Sequence, residues 1–537
     1  MKPKTRRRRR LVNSPVLAGP SSTHPVLALL SEERWKIALL VAGAAFMAFL
    51  SFDPKLDMWG DNANFIILAR SIASGQGMRQ SGELGLGTGF TFGFPAMLAI
   101  IEWLSPGNHL AEKLLVVGWF LLAIPLLYLL ARDVVGPGPA LWTAALTASN
   151  PLMLRWSNQV MTEMPFLSVS LLALLLLGRA MAKGDRPSDP MFLGSLAAIL
   201  VAMTIRSVGL VLVLATPLSI LIRRRYRLLA AILLFLIAAM TGANVAGYGP
   251  LLWSYVSRLF GPFFEAHTIE GGFEHLMGRA QTNIWRQVFI NIPVMILPFP
   301  GAWLAPRLLV GLRYLLALIV LSLLVVGLGR MLRRSEPWAV YTGLYLLAIV
   351  FWEPELAVMR ALIPVVPFLF VSIVVGAMPV LAWCHQRWPK GSPRLRTGLV
   401  GLVFAVNLWG NIDSAQTFRD YPPQWQSYFE AAAWIEQHTP RDSIIAARKP
   451  SLLYLTSKRR SIYWPYSSSP EQFLGALHGS PATHVVVDQL GFPDTQQLLV
   501  PAIRRYPENF RLVYATVTRP PTYVVEIRWP KAAAPSR

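Results

Sequence analysis

The sequence predicts an α-helical polytopic membrane protein of about eleven transmembrane helices, N-terminus inside and C-terminus outside, with a small C-terminal extracytoplasmic α/β domain. Three observations carry this expectation. Of the 537 residues, 54% are hydrophobic and only 15% charged, far more apolar than a soluble chain of this length needs. The apolar residues fall in runs close to the roughly 17 to 25 residues that cross a ~30 Å hydrocarbon core as a helix. The formal charge of +22 is spread as short basic clusters between those runs, the pattern of cytoplasmic loops.

Taken in order, a basic segment (1–35) with Lys2, Lys4 and Arg6 to Arg10 leads into the first run, and no small-residue cleavage pattern follows it, so this run reads as an uncleaved anchor. The expected spans are 36–52, 112–131, 138–154, 164–179, 190–205, 207–223, 228–244, 307–329, 337–352, 361–383 and 397–412. With these spans, Lys2 to Arg10, Arg132, Arg179 to Arg186, Arg223 to Arg227, Arg330 to Arg334 and Arg387 to Arg396 all fall inside. Counting Phe90 to Leu104 as a further span would put Arg132 outside, so that run, broken by Gly93 and Pro95, is expected as a juxtamembrane or re-entrant piece. Ile284 to Leu304, with Pro293, Pro298 and Pro300, reads the same way. The transmembrane domain (36–412) then presents outer loops at 53–110 and 245–306. The tail (413–537) changes character: helix-like Trp425 to Gln437 and Thr495 to Arg505 alternate with strand-like Ser443 to Ala446, His484 to Val487, Phe510 to Val517 and Thr522 to Ile527.

Composition also excludes some chemistries. Cys384 is the single cysteine, so no intramolecular disulfide forms and thiol-based metal or redox chemistry has no second ligand. Nucleic acid is not an expected partner, because the arginine run sits directly before an anchor, where anionic lipid headgroups account for it.

Ionisable residues at a membrane edge are costly and ask for an explanation. In Leu56-Asp57-Met58-Trp59-Gly60-Asp61-Asn62-Ala63-Asn64, Asp61 reads either as the N-cap of a surface helix carrying Phe65, Leu68, Ala69 and Ile72 on one face, or as a general base at the lipid–water boundary. Around Asn150-Pro151 and Thr162-Glu163-Met164-Pro165, Thr162 or Glu163 caps the next span or serves chemistry, and Arg155 and Trp156 read as interfacial anchors. Arg206, at the tip of a tight hairpin, either snorkels into solvent or clamps a phosphate with its planar fork. Arg360 either pairs with Glu353 or Glu355 or binds phosphate. His267, Glu270, Glu274 and His275 have the residue types, though no fixed scaffold, to hold a divalent metal ion, which stays open as a cofactor. Arg448 and Lys449, before Pro450, read as solvated charges or as contacts to a lipid phosphate.

The combination resembles the GT-C superfamily of lipid-linked-sugar glycosyltransferases, near the protein O-mannosyltransferase and lipid A aminoarabinose transferase branch. The resemblance rests on the order of the acidic first outer loop, Gly93-Phe94-Pro95, Asn150-Pro151, Thr162-Glu163-Met164-Pro165, Thr204-Ile205-Arg206-Ser207, Arg360-Ala361-Leu362-Ile363-Pro364 and a soluble tail. It implies a transferase that moves a sugar from a polyprenyl-phosphate donor to a hydroxyl on a glycan, lipid or protein acceptor, in a bacterial inner membrane with the active site outside. Asp61 matches the family's proposed catalytic base, with Asn62 where relatives often carry a second acid. Glu163 would orient acceptor or sugar. Arg206, Arg360 and Arg155 would hold the donor phosphate, with Asp57, Asn62, Asn64 and Lys449 in support. One base and direct displacement imply inversion. The rival expectation is a transporter or flippase of lipid-linked substrates that uses the same arginines without transfer chemistry, although no repeated half is visible.

Overall fold

The computed structural model describes residues 33–58, 60–78, 90–245, 261, 268–298, 307–355, 357–417, 420–465, 467 and 469–529. Each of the expected apolar runs is mainly helical. Among the described residues, His109–Val135, Glu163–Lys183, Tyr314–Arg333, Met359–Arg387 and Ser392–Ile412 are long and apolar enough to cross a membrane, and five shorter apolar helices accompany them. The helices pack as neighbours along the chain, with Glu163–Lys183 against Pro190–Ile205 and His109–Val135 against Pro137–Ser149, while Arg307–Arg333 pairs with Val366–Arg387.

The run expected as one span at 138–154 is broken. Helix Pro137–Ser149 ends at Asn150, which is extended (φ −68°, ψ 124°), and a second helix, Pro151–Ser157, starts there. Pro151 drives its predecessor out of the helical region. Asn150 Oδ1 then accepts from Leu152 N and Met153 N at 3.1 and 3.2 Å, capping the second helix. Its Nδ2 donates to Met295 O at 2.8 Å.

Two other expected loops are also helical. Gly93–Leu104 forms a helix whose first residue lies against the end of Pro190–Ile205: a Cβ added at Gly93 would sit 2.7 Å from the Thr204 carbonyl carbon. Thr91 Oγ1 donates to Ile205 O at 2.7 Å, so this segment is fixed beside Arg206. In the second loop, Thr268 caps helix Ile269–Arg286 by accepting from Gly271 N, and a π-turn at Gln287–Asn291 follows. Asn283 Nδ2 lies within hydrogen-bond distance of the Ile349, Val350 and Trp352 carbonyls, and Gln287 Nε2 donates to Ala357 O, so this helix and its π-turn hold the turn that leads into Arg360.

The tail is an α/β domain with five strands: β1 (Ile444–Ala447), β2 (Arg460–Tyr463), β3 (His484–Val487), β4 (Phe510–Ala515) and β5 (Tyr523–Ile527). Their order is β2-β1-β3-β5-β4, with β1 parallel to β2 and β3, and β5 antiparallel to β3 and β4. The central strand β1 shows the period of two plainly. Ile444 and Ala446 enter one core with Phe473 and Leu499, whereas Ile445 and Ala447 enter the other with Tyr428 and Leu452. Strand β2 and helices Pro450–Ser457 and Pro470–His478 go beyond the expected elements.

Helix Gly60–Ala73 joins the two parts of the molecule. It was expected to lie on the membrane surface with one buried face, but Asn62 through Ala69 and Ser71 are all buried. Phe65, Ile66 and Ala69 pack into the transmembrane core, and Ala63 into the core under the sheet. The face that looks polar in sequence is covered by helix Pro450–Ser457, with Ser451 Oγ donating to Asn64 Oδ1 at 2.5 Å.

Candidate active site

The helix begins at Gly60, so Asp61 is in its first turn and not the N-cap that the sequence suggested. There its carboxylate starts a chain of ion pairs. Arg360 Nη1 lies 2.5 Å from Asp61 Oδ2, and Arg360 Nε lies 2.5 Å from Glu163 Oε1. The same Glu163 oxygen receives Arg206 Nη1 at 2.5 Å, and Arg206 Nη1 also reaches Thr162 Oγ1 at 3.0 Å. Four residues from four helix ends thereby meet: the start of Gly60–Ala73, the start of Glu163–Lys183, the C-cap of Pro190–Ile205 and the short helix Met359–Leu362.

Exposure differs sharply along this chain. Asp61 keeps 45% of its side chain accessible, whereas Glu163 has 0%. Glu163 Oε2 is buried and has no hydrogen-bond partner among the described residues. Glu163, expected to orient acceptor or sugar, is thus enclosed in this structure, and its carboxylate is shared by two guanidinium groups. For Arg360 the alternative of a pair with Glu353 or Glu355 falls away, since among the described residues its ion pairs are with Asp61 and Glu163. Its guanidinium carbon also lies 5.4 Å from the centre of the Trp156 ring, a cation–π contact. Arg206 turns inward to Glu163, so the snorkelling alternative falls away.

Asp57, four residues earlier in sequence, belongs to a different arrangement. Its Oδ1 meets Lys113 Nζ at 2.9 Å and its Oδ2 accepts from Val160 N at 3.1 Å. Burial raises its carboxyl above the usual aspartate range, although Lys113 opposes the rise. Arg155 interacts with Asp57 and lines a cavity of about 300 Å³ with Asp57, Asn158, Gln159 and Tyr421; Glu163, Arg206 and Arg360 are not in its wall. Asn62 donates to Asp57 O at 3.0 Å and Asn64 bonds Ser451, so both asparagines fix the loop and the helix.

Lys449, from the tail, comes to the start of the same helix: a Cβ at Gly60 would be 3.9 Å from Lys449 Nζ. The solvated reading of Lys449 is thus corrected, since the residue is wedged between the domains. Burial and Arg448 lower its ammonium pKa, with Asp61 and Asp488 acting against them.

The second-loop metal candidates do not converge. Glu270, Glu274 and His275 are exposed on helix Ile269–Arg286, and His267 lies outside the described residues. Among the described residues no three His, Cys, Asp or Glu side chains form a metal-binding group. At the ion-pair chain the positive charge between the two carboxylates is that of Arg360, a donor set that does not suit a shared cation, so no step below is routed through a metal.

Sequence reasoning missed Lys113, Thr162 and Trp156 as partners. The signal for Lys113 was present, because a lysine in the first turn of a long apolar helix needs a counter-charge.

Residues 92–247 match the family model of dolichyl-phosphate-mannose-protein mannosyltransferases, a stretch that contains Glu163 and Arg206 but neither Asp61 nor Arg360. No curated protein matches the chain. Among solved structures, ArnT from Cupriavidus metallidurans bound to undecaprenyl phosphate is similar at a TM-score of 0.53 and 15% identity, over 92% of this chain and 98% of that one. The oligosaccharyltransferase of Archaeoglobus fulgidus in complex with Zn and sulfate is similar at 0.53 and 13%, over 84% and 67%. The same enzyme tethered to an acceptor peptide gives 0.54 and 12%, over 93% and 75%. The chain therefore shares the fold of these transferases, and its residues 92–247 match the dolichyl-phosphate-mannose-protein mannosyltransferase family.

Proposed function

We propose that the protein is a membrane glycosyltransferase that moves a sugar from a polyprenyl-phosphate donor to a hydroxyl acceptor, on the outer face of a bacterial inner membrane. The observation that carries this reading is the ion-pair chain itself, which is anchored at the enclosed Glu163 and ends at Asp61, a carboxylate open to a ligand. The shared fold with a transferase bound to undecaprenyl phosphate supports the class of donor.

In this reading Asp61 takes the proton of the acceptor hydroxyl as its oxygen attacks the anomeric carbon. The bond from that carbon to the phosphate oxygen breaks, and its electron pair leaves on the polyprenyl phosphate. A single displacement inverts the anomeric centre. Arg360 fixes Asp61 Oδ2 and so orients the remaining oxygen. Glu163 positions Arg360 and Arg206, which carry the positive field toward the departing phosphate. The polyprenyl tail explains why such a site sits at the end of an apolar bundle. The sugar and the acceptor are not specified by these residues.

The test compares the intact protein with Asp61→Asn at matched expression, following labelled sugar from membrane polyprenyl-phosphate donors to endogenous acceptors. Lost transfer with donor binding retained supports the assignment. Equal donor binding or translocation by both proteins, with no sugar transferred by either, overturns it in favour of transport.

A further inference from the structure

The sheet order places the strand reversal between β1 and β3, since β2 lies on one side of β1 and β3 on the other. In open α/β sheets the crevice outside the carboxyl ends of such a strand pair is where ligands bind. In this chain that crevice is made by Arg448 and Lys449, directly after β1, and by Asp488, directly after β3, with Phe492 against both cations at 4.7 and 4.9 Å. It does not open to bulk solvent on all sides, because its Lys449 edge abuts Gly60, next to Asp61.

The cations around this junction are committed unequally. Arg206 and Arg360 are held by Glu163 and Asp61, two positive charges against two negative. Arg448 pairs with Asp494 at 3.3 Å. Asp488 is buried, its Oδ1 accepts from Leu490 N, and its Oδ2 has no hydrogen-bond partner among the described residues. The side chain of Lys449, alone of those of these cations, makes no hydrogen bond or ion pair among the described residues; with only the Phe492 ring against it, its three N–H donors stay open beside Gly60 and Asp61.

A departing lipid phosphate needs more positive charge than a neutral four-residue chain supplies. We infer that the α/β domain completes the site, with Lys449 as a contact to the phosphate of the lipid carrier that adds to the field of Arg206 and Arg360, whose charge the two carboxylates offset. The inference rests on the transferase reading above, and it makes the tail part of the donor site.

The experiment uses the full chain in nanodiscs and measures affinity for a polyprenyl phosphate and for the uncharged polyprenol of the same length. Wild type, Lys449→Met and Lys449→Arg are compared, with melting temperatures recorded so that a misfolded variant is recognised. The expected result is that Lys449→Met weakens polyprenyl phosphate by about 10-fold or more, the scale of one lost charge-assisted hydrogen bond, and leaves polyprenol unchanged. Lys449→Arg recovers most of the loss. Phosphate affinity in Lys449→Met within about twofold of wild type overturns the inference and leaves the transferase reading standing. A loss of acceptor affinity alone, with polyprenyl phosphate unaffected, also overturns it and assigns Lys449 to an anionic acceptor. A wild type that binds phosphate and alcohol equally removes the transferase reading itself.

Discussion

Asp57 and Asp61 sit four residues apart, on either side of the start of helix Gly60–Ala73, and the structure gives them opposite surroundings. Asp57 is 11% accessible, and its two oxygens are taken by Lys113 and Val160 N, so it ties the loop to the bundle. Asp61 is 45% accessible and keeps one oxygen clear of Arg360. Residue type and position in sequence are alike in the two. What separates a structural carboxylate from a candidate base is whether the protein has already used its lone pairs.

That comparison breaks most sharply in activity. Asp61→Asn is expected to lower the transfer rate by about 10²- to 10⁴-fold, the usual contribution of a general base. Its unfolding free energy should change by less than about 1 kcal/mol, because a partly exposed ion pair contributes little. Asp57→Asn should do the reverse. Stranding the 1%-accessible Lys113 is expected to cost about 3 kcal/mol in denaturant unfolding, while transfer per folded molecule stays near wild type. If Asp57→Asn instead abolishes transfer at full stability, the division of labour is wrong.

Asp488 sharpens the comparison as a third, buried aspartate. Burial pushes its carboxyl up to about 6 from an ordinary value of 3.8. The folded state thus favours the protonated acid, a stabilisation fully present below pH 3.8 and lost as pH rises past about 6. At about 1.4 kcal/mol per pH unit, wild type should lose up to about 3 kcal/mol relative to Asp488→Asn across that window. Equal pH slopes for the two proteins in thermal unfolding would refute it. Smallest of all, Ser451→Ala removes the hydroxyl on Asn64 and is expected to cost about 1 kcal/mol, read as a lower melting temperature.

The helices were legible because hydrophobic runs and basic clusters are local signals, and the expected runs are mainly helical. Asp61, Glu163, Arg206 and Arg360 were legible as costly charges at the ends of those runs. Their pairing was not, because Arg360 meets Asp61 across 299 positions and no local pattern encodes that. The same limit explains helix Gly60–Ala73: Asn62 and Asn64 look like a solvent face until the tail covers them. At Asn150 the proline signal was in plain view, but the apolar run on both sides outweighed it. Strand β2, four residues with two exposed ends, offered too short an alternation to separate from loop.

Helix Gly60–Ala73 also sets a schedule for biosynthesis. The side chain that closes on Asn64 belongs to Ser451, 387 residues downstream. At synthesis rates of about 5 to 20 residues per second, roughly 20 to 80 s separate the two on the ribosome. Throughout that interval the nascent chain carries Asp61 on a half-covered helix without Lys449 beside it. Assembly of the site is therefore among the last events in the life of the nascent chain, and a ribosome that stops before the tail leaves behind a membrane bundle with an unfinished centre.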